Sequence, residues 1–168
     1  MNKSIKINLL LYLSFFFCIL LDSFSFSYQI NNIKPSFVLL SFIYWNLATP
    51  EKMNVGHAFL LGLICDFMEG TFLGIYPLIF LFISYICQHY FHQIRPMKFL
   101  QQSAIIFLLV ISVRFFLSLD FTNSEPDNLT LMDSNLIWLA FLNALISAIF
   151  WPIVFILLRL FRRKWITI

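Results

Sequence analysis

The apolar residues of this chain fall in long uncharged blocks. From Ile7 to Leu21, and again from Asn135 to Leu158, no Asp, Glu, Lys or Arg interrupts the run. The solvent that suits such a stretch is the hydrocarbon of a bilayer. The chain is 61% hydrophobic and 11% charged, against about 25% charged in an ordinary soluble domain. Its polar surface is therefore too scarce to cover a water-exposed globule. Only helices and closed barrels satisfy their backbone in lipid, and the alternation of a barrel is absent. The pattern predicts an all-α integral membrane protein, a six-helix bundle in one polytopic domain across residues 1–168. The predicted spans are approximately 7–27, 36–50, 53–70, 72–91, 100–119 and 135–158.

Proline and charge punctuate these blocks. Pro35 opens the second span and Pro50 closes it, while Pro96 and Pro126 fall in loops. Pro77 and Pro152 lie within the fourth and sixth spans, where a local kink is expected. The stretch from Ser36 to Thr49 covers only ~21 Å of helix, a length compatible with a re-entrant hairpin. The tip of such a hairpin would carry Glu51 and Lys52 deep into hydrocarbon, at roughly 2.5–3.5 kcal/mol each. Two true spans in a locally thinned bilayer are the cheaper solution. The N-terminal run follows Lys3 and Lys6 like a secretory leader, but no small-residue cleavage site follows it, so an uncleaved first span is expected.

Orientation follows from the basic residues. With the N-terminus inside, the cytoplasmic segments hold Lys3, Lys6, Lys52, Arg95, Lys98, Arg159, Arg162, Arg163 and Lys164. These are all but two of the 11 basic residues; Lys34 falls outside and Arg114 lies within the fifth span. Asp22, Asp120, Glu125, Asp127 and Asp133 fall outside. Both termini are therefore expected in the cytoplasm. The net charge of +3 reflects this anchoring at lipid headgroups. There is no basic stripe with interleaved aromatics, so nucleic acid is not an expected partner.

Catalytic chemistry finds little support. There is no Gly-x-Ser-x-Gly elbow, no His-Glu-x-x-His and no phosphate-cradling loop. His89 and His92 stand at i, i+3 without a third ligand, and His57 stands alone; all three read as interfacial residues rather than a metal site. Cys18, Cys65 and Cys87 lie inside apolar blocks without Cys-x-x-Cys spacing and read as small buried residues. No metal or cofactor is expected.

Two helix-packing constellations remain. Gly56, Gly62, Gly70 and Gly74 are the chain's four glycines. Gly62 and Gly70 bracket Asp66 at i−4 and i+4, which puts the three on one helix face. Small residues there admit a second helix, so Asp66 is expected in a helix–helix seam, with snorkelling to the outer interface as the alternative. A charged Asp66 needs a partner; Arg114 is the candidate, with Glu69 and Asp120 competing. In the sixth span, Ala140, Ala144 and Ala148 repeat every four residues, with Asn143 and Ser147 alongside. That face suits either a partner's transmembrane helix or packing within the bundle.

Several of these residues form a familiar order. Lys34-Pro35-Ser36-Phe37-Val38-Leu39-Leu40, Tyr44-Trp45 and Pro50 resemble the second-span signature of the MreD family of the Gram-negative type. Asn54-Val55-Gly56, Gly62-Leu63, Asp66, Gly70 and Leu73-Gly74 continue the resemblance. Gln101-Gln102, then Trp151-Pro152 with Arg159, extend it to the end of the chain. Lys34 stands where many members carry arginine. The resemblance implies a bundle similar to the substrate-binding subunits of energy-coupling-factor transporters. It implies a non-enzymatic inner-membrane scaffold of the rod-shape and cell-elongation complex, supporting lateral peptidoglycan synthesis. It implies MreC as partner and, through it, MreB, the RodA glycosyltransferase and the elongation transpeptidase. The competing reading is a small-molecule-binding transporter subunit of similar fold. Such subunits usually dock through an alanine pair in the first helix, and this first span contains no alanine.

Overall fold

The computed structural model describes residues 3–24, 34–118 and 134–165. The acidic segment from Asp120 to Asp133, with Glu125, Pro126 and Asp127, lies outside the described residues. Every regular element among the described residues is a helix: α1 (Lys3–Ser23), α2 (Phe37–Ala48), α3 (Val55–Glu69), α4 (Ile75–His89), α5 (Phe91–Ile94), α6 (Phe99–Ser118) and α7 (Ser134–Trp165). Each predicted span finds a helix within a few residues. The largest difference is α7, which runs past Leu158 through Arg159, Arg162, Arg163 and Lys164. Arg and Lys are good helix formers, and there they complement the negative end of the dipole.

Helix boundaries follow local chemistry. Pro35 holds the chain extended, and the hydroxyl of Ser36 accepts from the Leu39 N–H at 3.4 Å to start α2. Thr49 ends it, with its N–H on the Trp45 carbonyl, and Pro50 follows. Gly70 terminates α3 with φ of 67°, and Gly74 precedes α4 with φ of 112°; both conformations are left-handed and favour glycine. Pro77 corrects the sequence expectation. Because α4 starts at Ile75, Pro77 sits in the first turn, where its missing N–H breaks no helical bond. Pro152 does lie inside α7.

The helix α2 occupies the centre. Every residue from Val38 to Leu47 is buried, and α1, α4 and α7 pack around it, with α5 also in contact. Successive helices α3 and α4, and α6 and α7, form the outer hairpins. Phe42 stacks on Phe80 at 4.8 Å between centroids, and Tyr44 meets Phe155 edge-on at 5.4 Å. Twelve residues give α2 about 18 Å of helix. A helix wrapped in protein need not match the bilayer thickness, since its backbone and side chains meet other helices rather than lipid.

Polarity is arranged inside out. On α1, Leu9, Tyr12, Leu13, Phe16, Phe17 and Leu20 are between 45% and 64% exposed, whereas Ser14 is 4% exposed. The helices α6 and α7 carry apolar stretches long enough to cross a membrane, Phe99–Leu117 and Ile137–Lys164.

Candidate functional site

At the α3–α4 turn the seam takes a specific form. A β-carbon placed on Gly62 would lie 2.4 Å from both the N and Cα of Pro77, and 2.8 Å from the carbonyl carbon of Tyr76. The two backbones touch at this point, and only glycine permits it. One turn further along α3, Asp66 is 2% exposed. Its Oδ1 accepts from the Thr71 hydroxyl at 3.0 Å and from the Tyr76 N–H at 3.0 Å. Its Oδ2 accepts from the Gly74 N–H at 2.7 Å. Asp66 thus caps the positive N-terminus of α4 across the turn.

This geometry narrows the sequence expectation. Gly62 and Asp66 do face the neighbouring helix. Gly56 and Gly70 are exposed and, like Gly74, have no atom within 4 Å of the point where a β-carbon would stand; Gly70 and Gly74 serve backbone conformation instead. The partners of Asp66 also differ. Residues 71–76 occupy its carboxylate, while the Arg114 Nε donates to Asn143 Oδ1 at 3.2 Å. A carboxylate held by three donors fixes the orientation of a helix end.

A second acid performs the same task at the preceding connection. Asp22, near the end of α1, accepts from the N–H groups of Phe37 at 3.0 Å and Val38 at 2.9 Å, and from the Ser36 hydroxyl. In return the Lys34 ammonium donates to the carbonyls of Leu21, Asp22 and Phe24. Each charge satisfies the orphan groups of the other helix's end. At the other end of α2, Arg162 donates to the Ala48 carbonyl at 3.2 Å. The central helix therefore has an anion at its N-terminus and a cation at its C-terminus, both favourable with its dipole.

Inside the bundle the polar residues bind one another. Asn46 Oδ1 accepts from Ser84 at 2.9 Å and Gln88 at 3.2 Å, and Gln88 also donates to the Met53 carbonyl at 2.7 Å. Trp45 donates to Ser14 at 2.7 Å, joining α2 to α1. Gln102, the buried member of the Gln101-Gln102 pair, donates to the carbonyls of Ile94, Arg95 and Met97 and accepts from Trp151. The sixth-span face is turned inward: Asn143, Ala144 and Ser147 are at most 2% exposed, and Asn143 donates to the Lys34 carbonyl at 2.6 Å. Those three residues pack within the bundle, and Ala140 and Ala148 flank them half-buried.

Of the residues that carry the family resemblance, Pro35, Tyr44, Trp45 and Trp151 are buried around α2. Asn54 precedes α3 without a side-chain cap, Pro50 and Pro152 are half-buried, and Arg159 is exposed near the end of α7. Asp22, Asn46, Ser84, Gln88 and Arg162 escaped sequence reasoning. The one available hint was Ser36, a helix-start residue after proline; nothing local pointed to its partner on α1.

No solved structure matches the chain. The rod shape-determining protein MreD of Haemophilus influenzae is 33% identical over 132 residues, which cover 79% of this chain and 77% of that protein. The family described as rod shape-determining protein MreD matches residues 3–161, nearly the whole length, and the chain belongs to that family.

Proposed function

We propose that the chain is a non-enzymatic, multi-pass scaffold of the inner membrane, working in the complex that keeps cells rod-shaped during elongation. The observation that carries this reading is the family match over residues 3–161, which includes every helix from α1 to α6 and most of α7. MreC is the proposed direct partner, with MreB, RodA and the elongation transpeptidase reached through it. The physics supports a scaffold. The interior polar groups described above are engaged in holding helix ends and helix pairs together, and the outward faces of the helices are apolar. Such a body is suited to present fixed surfaces in a bilayer. A bundle similar to the substrate-binding subunits of energy-coupling-factor transporters is part of the same proposal.

Two experiments test it. Depletion in a rod-shaped host is expected to round the cells while septation continues, and expression of the chain at native level is expected to restore rods. Rods that persist through complete depletion, with growth continuing, would remove the cell-shape role. For topology, six spans with both termini in the cytoplasm predict that a reporter fused after Asp127 reads outside and one fused after Lys164 reads inside. The motive is the crowding of all but two of the 11 basic residues on one side. The opposite pair of readings would overturn it.

A further inference from the structure

At the C-terminal end of α2 lies a cavity of ≈ 150 Å³, lined among others by Tyr44, Arg95, Gln102, Phe155, Arg159 and Arg162. Three guanidinium-bearing side chains border it, and no acidic residue is among its lining residues. The Tyr44 side chain is 1% exposed, and its hydroxyl has no hydrogen-bond partner among the described residues. A buried hydroxyl without a partner costs free energy, and three cations around one void repel each other. Both penalties disappear when an anion with several acceptor oxygens enters. We propose that this cavity is a phosphate site, filled by the headgroup phosphate of an anionic phospholipid.

The charge balance favours it. The C-terminus of α2, which opens toward the cavity at Ala48, brings about half a negative charge, well short of three arginines. Arg159 and Arg162 stand three apart on α7 and so share a face. Arg162 is already held by the Ala48 carbonyl, which fixes one guanidinium before any ligand arrives. Arginine forks match phosphate oxygens in pairs. The surroundings suit a lipid: Ile156, Leu157 and Leu160 on the outward face of α7 are 47–61% exposed, giving acyl chains an apolar bed beside the charged cavity. This goes beyond the scaffold reading, since neither MreC nor any wall enzyme enters the argument.

The test uses the full-length protein, delipidated in neutral detergent, with bound lipid counted by native mass spectrometry. Phosphatidylglycerol is expected to bind at least about tenfold more tightly than phosphatidylcholine. The double variant Arg95→Gln/Arg159→Gln is expected to lose about tenfold for phosphatidylglycerol, and Tyr44→Phe a few-fold. The control Arg163→Gln/Lys164→Gln removes as much charge from the end of α7, outside the cavity lining, and is expected to lose less than about threefold. Competition by sodium glycerol 3-phosphate would show that a soluble phosphate ester also fills the site; no competition would restrict it to lipid. Equal binding of the two lipids by the unaltered protein would overturn the proposal whether or not the variants fold. An equal loss in the control pair would also overturn it, because diffuse surface charge would then suffice.

Discussion

Gly62→Leu is expected to abolish assembly of the α3–α4 hairpin and to leave rod shape unrestored in depleted cells. Even alanine is too large there, since its β-carbon would lie 2.4 Å from backbone atoms of Pro77, and backbone cannot rotate aside as a side-chain tip can. Overpacking of this kind typically costs about 1–3 kcal/mol, occasionally more. Gly62→Ala should therefore lower stability by about that amount in equilibrium unfolding in detergent, and leucine by more. The other glycines separate space from backbone conformation. Gly70→Ala has room but must hold φ of 67°, at about 1–2 kcal/mol. Gly56→Ala has neither constraint and should stay within about 0.5 kcal/mol of the parent. A Gly62→Leu protein that folds and complements at native expression would sink the close-approach account. A Gly56→Ala effect as large as that of Gly62→Ala would sink the ranking.

The same four glycines mark how far the sequence could be read. Spacing of four places residues on one face only while the chain stays helical. Gly62 and Asp66 lie inside α3 and do share that face; Gly70 lies one residue past its end and Gly74 beyond the turn, where the period no longer applies. Helix positions were legible because uncharged blocks and Pro35 and Pro50 bound them. The placement of α2 at the centre was not, because a helix apolar all round reads equally as lipid-facing or protein-wrapped. The reciprocal caps were hidden for another reason. Asp22 and Phe37, or Lys34 and Leu21, are far apart in sequence, and no periodicity links them. They meet only after α1 and α2 have paired. The Ala140 and Ala144 face could be assigned to the bundle only once Asn143 was seen against Lys34 and Arg114. Pro77 was misplaced by the few residues of uncertainty that any start-of-helix reading carries, enough to turn an interior kink into a first-turn proline.

Removing the carboxylate that caps α4 should be the most damaging polar change in the chain. Asp66→Leu leaves the N–H groups of Gly74 and Tyr76 without their acceptor, at about 1–3 kcal/mol for each unsatisfied group, and releases the Thr71 hydroxyl as well. The Asp66 side chain is 2% exposed, which leaves water little room to replace it. Asp66→Asn is the informative variant. One oxygen is kept and still accepts from Thr71 and Tyr76, but the amide nitrogen then meets the Gly74 N–H donor to donor. Asparagine should accordingly fall between aspartate and leucine, both in unfolding and in restoring shape. Asp22→Leu tests whether the first connection is built on the same principle. It frees the N–H groups of Phe37 and Val38 at the head of the central helix; being half-buried, that end has some access to the interface, so the loss should be smaller than at Asp66. The Lys34 ammonium, bonded to three carbonyls of the α1 end, should remain in place. If Asp66→Leu restores rods as well as the parent while Gly62→Leu does not, the seam is a packing contact alone and the cap contributes nothing that the cell requires. If Asp66→Asn behaves like leucine, the charge itself, beyond the count of acceptors, holds α4 in position.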